Sequence, residues 1–159
     1  VTSEGSPNSF LCTTRDYRDF ELIFEVKVDD ALNSGVQIRS RSLDTFKDGR
    51  VHGPHVQTST NENARWIYAE ALEGGWLSQD RSNEKARGAF VKGEWNKYRI
   101  RAKGDLIKTW INGVSVANLV GNEESFKEGF IGLQVHGVSR GTGPFEVRWR
   151  NIYLRSLEN

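Results

Sequence analysis

Hydrophobic residues recur at every second position in several separate runs of this chain, which is the period of a half-buried strand. The clearest run is Phe20 to Val28. There Phe20, Leu22, Phe24, Val26 and Val28 take one side, and Glu21, Ile23, Glu25 and Lys27 the other. Asp29-Asp30 closes it, and Asn33-Ser-Gly35 predicts a tight turn into a second strand, Val36 to Ser40. Arg41 to Gly53 is a polar connection. Pro54 to Ser59 reads as a third strand with the proline at its start, because proline has no N–H to give to a ladder. Residues 60–93 hold no sustained period and are expected to be long loops with one short strand. Loops of that length in a small domain are commonly functional.

Alternation resumes from Glu94 to Ala102 and from Asp105 to Ile111. Asn112-Gly113 is the strongest hairpin signal in the chain, with Val114 to Ala117 returning from it. Phe130 to His136 and Phe145 to Leu154 complete the set. In the last run Val147 and Trp149 are in phase while Ile152 and Leu154 are not, and a bulge near Arg150-Asn151 would return both to the core. No segment has a helical period. The expected fold class is all-β, a sandwich of antiparallel strands.

Three of these runs carry an unusual polar side. Val36 and Ile38 point to the core, which leaves Gln37 and Arg39 on the other face; Gln134 and His136 oppose Ile131, Leu133 and Val135; His55 and Gln57 flank Val56. A solvated strand face is ordinarily rich in Lys, Glu and Thr. Gln, Arg and His are flat, multidentate groups suited to neighbouring hydroxyls and carbonyls. The expectation is that Gln37, Arg39, His55, Gln57, Gln134 and His136 line one concave sheet surface that binds a ligand.

Composition narrows the class of ligand. The chain has 159 residues, 36% hydrophobic and 27% charged, which describes one globular domain. Its 22 basic and 21 acidic residues leave a net charge of +1, so no long-range field draws in a polyanion, and nucleic acid is not an expected partner. No apolar stretch approaches the ~18 residues of a membrane span. The lone Cys12 excludes an internal disulfide, and Val1 to Ser9 has neither the basic start nor the apolar stretch of a signal peptide. Sixteen glycines, three prolines and turn signals at short intervals fit many short strands. Of five Trp, Trp95, Trp110 and Trp149 fall within strand patterns and read as structural, whereas Tyr68 and Trp76 sit in the long irregular stretch beside Trp66. An aromatic plane there would suit the C–H face of a sugar ring.

Six short motifs occur in order: Asp19-Phe-Glu-Leu22, Asn33-Ser-Gly-Val-Gln-Ile-Arg-Ser40, Gly93-Glu-Trp-Asn96, Trp110-Ile-Asn-Gly-Val114, Gly129-Phe-Ile-Gly-Leu-Gln-Val-His-Gly137 and Arg150-Asn-Ile152. The set resembles the bacterial 3-keto-disaccharide hydrolase family. That resemblance implies a concanavalin A-like jelly-roll sandwich of two antiparallel sheets, the fold of legume lectins and many glucanases. It covers nearly the whole chain from about Phe10, read as a single domain over residues 1–159 that lacks the family's opening strand with its Gly-Trp signature. The chemistry it implies is glycosidic cleavage next to a C3 ketone. A base removes the acidified C2 proton, and the enolate expels the C1 oxygen. This needs a base, a group that stabilises the enolate and a proton for the leaving oxygen. Water addition then completes hydrolysis; without it the enzyme is a lyase.

Carried over position by position, the resemblance places Asn33, Arg39, Gln134 and His136 on the sugar-binding face. Glu70 matches the acidic residue after the family's Ile-Tyr pair, here Ile67-Tyr68, and Gly75-Trp-Leu77 matches as well. The third strand departs: relatives carry a Gln or Glu pair and a following Asp where this chain has His55, Gln57 and Ser59. The expected catalytic groups are therefore His136 and His55, with Glu70 secondary, and the expected sugar ligands are Asn33, Gln37, Arg39, Gln57, Tyr68, Trp76 and Gln134. The implied partner is a saccharide or 3-keto-glycoside, met outside the cytoplasm in the periplasm or after secretion. The chemistry calls for no cofactor, although His52, His55 and His136 leave a divalent metal open. Two other functions compete: a carbohydrate-binding module without catalysis, and an adhesion or assembly domain using the same face. An enzyme needs convergent titratable groups in a pocket, a binding module an aromatic platform, and an assembly domain a flat apolar patch.

Overall fold

The computed structural model describes residues 2–3, 8–121 and 127–158. Twelve strands follow in chain order: β1 (Thr2–Ser3), β2 (Ser9–Cys12), β3 (Phe20–Val28), β4 (Asn33–Ser40), β5 (Gly53–Ser59), β6 (Ile67–Glu70), β7 (Trp76–Ser78), β8 (Asn96–Lys103), β9 (Leu106–Ile111), β10 (Val114–Val120), β11 (Phe130–Val135) and β12 (Phe145–Ser156). They form two six-stranded sheets, a back sheet ordered β1-β12-β3-β8-β9-β10 and a front sheet ordered β2-β11-β4-β5-β6-β7. Every pairing is antiparallel. This is the jelly-roll sandwich that the resemblance implied.

The alternating residues fill the space between the sheets. Leu22, Phe24, Val26, Tyr98, Ile100, Ile107 and Val147 come from the back sheet and meet Val36, Ile38, Val56, Ile67 and Ile131 from the front. Phe24 stacks on Tyr98 with ring centroids 5.1 Å apart. Asn112 and Gly113 both have positive φ, 49° and 85°, as a two-residue hairpin turn between right-twisted strands requires.

Three local expectations change. Residues 60–93, read as long loops with one short strand, contain two, β6 and β7, which extend the front sheet. Their alternation is too short to register as a period. The bulge in β12 is present, with Asn151 at φ 51°, but Asn151 and Ile152 together oppose one residue of β3. Leu154 returns to the core, whereas Ile152 is left 47% exposed.

The third change concerns Arg39. Gln37 pairs with Gly132 and Ser40 with Phe130, so Ile38 and Arg39 face a single residue of β11. Arg39 takes up the extra residue at φ 48°. This bulge shifts the parity of the strand, and Arg39 leaves the face that carries Gln37. Its side chain, 1% exposed, donates from Nε to the Arg18 carbonyl at 2.7 Å, from one terminal nitrogen to the Gly104 carbonyl at 2.8 Å and from the other to Asp19 at 3.2 Å. Asp19 leads into β3 and Gly104 turns β8 into β9, so Arg39 ties the two sheets together and is not a sugar ligand on the front face. Arg39→Met should cost about 1–3 kcal/mol through the lost charge-assisted bonds and the carbonyls left unpaired. It should appear as a melting temperature several degrees lower, with sugar affinity unchanged.

Candidate functional site

The polar residues of the front sheet fall into cross-strand rows. One row runs Cys12, Gly132, Gln37, His55, Tyr68, Trp76 across six strands. The next runs Phe10, Gln134, Gly35, Gln57. Asn33 lies two residues along β4 from Gly35. This face is polar yet buried: Gln37 is 0%, His55 1% and Gln134 1% exposed. Polar groups survive burial only when hydrogen-bonded, so their partners define the site.

His55 forms the floor. Ser40 Oγ donates to Gln37 Oε1 at 2.7 Å, which turns Gln37 Nε2 toward His55 Nδ1 at 3.1 Å. An amide nitrogen only donates, so Nδ1 accepts and the ring proton sits on Nε2. The Nε2 edge lies over Gly35, where an added Cβ would come within 2.0 Å of that atom and 2.6 Å of the Val56 carbonyl. Only glycine leaves room for the ring. Burial pushes the His55 pKa down to about 4, against smaller opposing contributions from the Ser34 backbone and Gln57. His55 is therefore a neutral, fixed ring at neutral pH. This placement corrects the expectation that it moves the proton, because Gln37 engages one nitrogen and the tight floor over Gly35 holds the other. Gln37 lies beneath the groove as the group that orients His55. Gly35→Ala should lower the melting temperature by roughly 5–10 °C, because the Val56 carbonyl is backbone and cannot step aside.

Above this floor lies a groove of about 340 Å³ whose walls include Asn33, Gln57, Tyr68, Glu70, Trp76, Gln134 and His136. Seven expected residues thus come together with His55, and Arg39 does not join them. Trp76 packs edge-on against Tyr68 and against the buried Trp66, each at 5.2 Å between centroids, so β6 and β7 supply an aromatic wall. Glu70 faces Arg50 at 3.6 Å. Asn8, Arg50 and Glu70 also line a neighbouring cavity of about 600 Å³ that reaches Phe10 and Lys47. The two spaces share that wall.

His136 is held in the opposite sense to His55. Its Nδ1 lies 2.6 Å from the Gly137 carbonyl, which can only accept, so Nδ1 carries a proton. Gly137 N–H in turn donates to Asn8 Oδ1 at 2.8 Å. The two rings are thus held with opposite polarity at Nδ1, within one groove.

Sequence reasoning missed Asn8, Arg50 and Asn63. Asn8 precedes a four-residue strand and Arg50 lies in a polar connection, and neither segment has a periodic pattern to mark it. His52 is turned to the Arg50 carbonyl at 2.9 Å and packs on Phe46. Among the described residues no group of three or more His, Cys, Asp or Glu side chains stands close enough to hold a metal ion. No helix among them is long and apolar enough to cross a membrane.

No curated protein sequence matches the chain. Two solved proteins from Parabacteroides distasonis ATCC 8503, both named as glycosyl hydrolases, share the fold. One superposes with a TM-score of 0.67 at 18% identity, over 99% of this chain and 80% of its own. The other gives 0.64 at 25% identity, over 99% and 90%. A carbohydrate-binding module from Bacillus subtilis gives 0.63 at 16% identity, over 97% and 84%. Residues 1–155 match a single carbohydrate-active family, and the chain belongs to it: the 3-keto-alpha-glucoside-1,2-lyase-like domain.

Proposed function

We propose that the groove binds a glycoside oxidised to a ketone at C3 and cleaves its glycosidic bond by removing the C2 proton. The observation that carries this reading is His136, an imidazole that lines the groove with its Nδ1 oriented by the Gly137 carbonyl. The C2 proton goes to Nε2, and the C–H electron pair forms the enolate, with its charge on the C3 oxygen. The enolate then returns its electrons to C3=O as a C1=C2 bond forms and the C1–O bond breaks. The imidazolium returns its proton to the leaving oxygen, so one group closes the proton balance. Arg50, a groove cation beside Glu70, is the residue suited to the enolate charge.

A glycosidase of the usual kind needs two carboxyl groups across the scissile bond. Glu70 is the one carboxylate among the groove's described walls, and it is paired with Arg50. That favours elimination over ordinary hydrolysis. It also favours a second reading, a carbohydrate-binding module that uses Tyr68 and Trp76 as its platform without catalysis. An extracellular or periplasmic setting fits either.

Incubation with 3-keto-glucosides and with their unoxidised parents separates the readings. Sugar release from the oxidised series alone supports the proposal. Binding without release selects the binding module, and neither binding nor release refutes both.

A further inference from the structure

The outer face of the back sheet carries a second candidate site, built from charges that the groove does not use. Along β8 and β9, Tyr98, Ile100, Ala102, Ile107 and Ile111 are wholly buried in the core. Strand alternation therefore turns Arg99, Arg101, Lys103, Leu106, Lys108 and Trp110 outward. These six line a space of about 360 Å³, and no carboxylate is among its described walls. Trp110, whose strand pattern suggested a structural role, is only half-buried there, with the Arg99 guanidinium 4.7 Å from its ring centroid.

This arrangement works against the stability of the sheet. Arg101 and Lys108 stand directly opposite each other in the ladder, and like charges so placed repel. Glu21 lies opposite Arg101 on β3, but its two oxygens are taken by Arg99 at 2.6 Å and Arg155 at 3.2 Å. One carboxylate thus faces three arginines. Arg101, Lys103 and Lys108 form no ion pair among the described residues. The net charge of +1 belongs to the whole chain and conceals this local excess.

We infer that this face of β8 and β9 binds an acidic polysaccharide through its carboxylate or sulfate groups. An anion seated between Arg101 and Lys108 relieves their repulsion, and the planar arginine fork suits a pair of acidic oxygens. Trp110 and Leu106 supply apolar surface for the C–H face of a sugar ring. A single-stranded nucleic acid fits the face less well, because it stacks successive bases on several aromatic side chains and Trp110 is the one aromatic in these walls. The face lies on the opposite sheet from the groove, so an acidic glycan held there leaves the groove open. The inference is independent of the reaction proposed for the groove.

The test measures binding of the full chain to polygalacturonate and to dextran sulfate, each beside its neutral counterpart, methyl-esterified polygalacturonate and dextran. At least one anionic polymer should bind about 10-fold or more tighter than its counterpart, with the advantage shrinking as salt is added. The tighter of the two identifies carboxylate or sulfate as the group recognised. Lys108→Glu places an acid opposite Arg101, which suits the ladder, and should weaken binding by about 10-fold or more. Lys85→Glu makes the same charge change at an exposed position between β7 and β8 and should leave the affinity within about 2-fold. Three results overturn the inference. The anionic polymers bind no better than the neutral ones, Lys85→Glu weakens binding as much as Lys108→Glu, or oligothymidylate binds more tightly than either acidic glycan.

Discussion

The domain is expected to lose about 3 kcal/mol of stability as the pH falls from 6.5 to 4, most of it above the ordinary carboxylate value of 4.5. His55 in the folded protein holds off protonation until about pH 4, because burial penalises the charged ring. In the unfolded chain the same imidazole protonates near ~6.5. Between these values the unfolded state binds the extra proton, so stability rises with pH across the window and is flat above it. At ~1.4 kcal/mol for each tenfold change in proton concentration, the gap gives about 3 kcal/mol. The paired carboxylates have the usual sign. Glu21, held below its ordinary range chiefly by the hydrogen bond from Arg99, contributes stability that is lost only as the pH falls below the ordinary carboxylate value of 4.5. Urea midpoints from pH 7 to pH 4.5 therefore isolate His55. The wild type should show a steady decline and His55→Gln a nearly flat line. A flat wild type would mean that the imidazole is not buried and neutral.

Loss of His136 should have the largest effect on turnover. Removing a general base typically costs ~100-fold or more, and His136→Ala should lower kcat on a 3-keto-glucoside by at least that factor with KM little changed. Glu70→Gln should cost less, because Glu70 is paired with Arg50 at 3.6 Å and the proposed base is His136. His55→Gln should fall between them, as it loosens the floor without removing the base. Steady-state kinetics on the three variants rank the roles. A greater loss in Glu70→Gln than in His136→Ala would transfer the base to Glu70.

The fold was legible because strand parity is a local property. Phe20 to Val28 and Tyr98 to Ala102 alternate without interruption, and both point their apolar sides inward as read. The same rule brought together Gln57, Gln134 and His136 from two separate strand runs. It failed at Arg39 and Ile152, where a bulge inserts one residue and reverses parity beyond it. Nothing in the side chains of Ile38 and Arg39 announces a left-handed residue; the bulge is set by pairing with β11, which lies some 90 residues away in the chain. Burial was equally invisible. His55, expected as a catalytic group of the binding face, is a buried ring set over Gly35 with Gln37 beside it. Arg50 and Asn8 reach the groove through tertiary packing alone.

The fate of the hydrogen at C2 tests the central claim most directly. A 3-keto-glucoside carrying deuterium at C2 is incubated with the protein, and the released products are weighed by mass spectrometry. Incubations with His136→Ala and without protein correct for spontaneous exchange. Proton abstraction predicts that the deuterium is lost from the oxidised ring in every turnover, and that it disappears no faster than the background when His136 is replaced. A product that keeps its C2 deuterium would show that the bond breaks by direct displacement at C1, and the elimination account would be wrong.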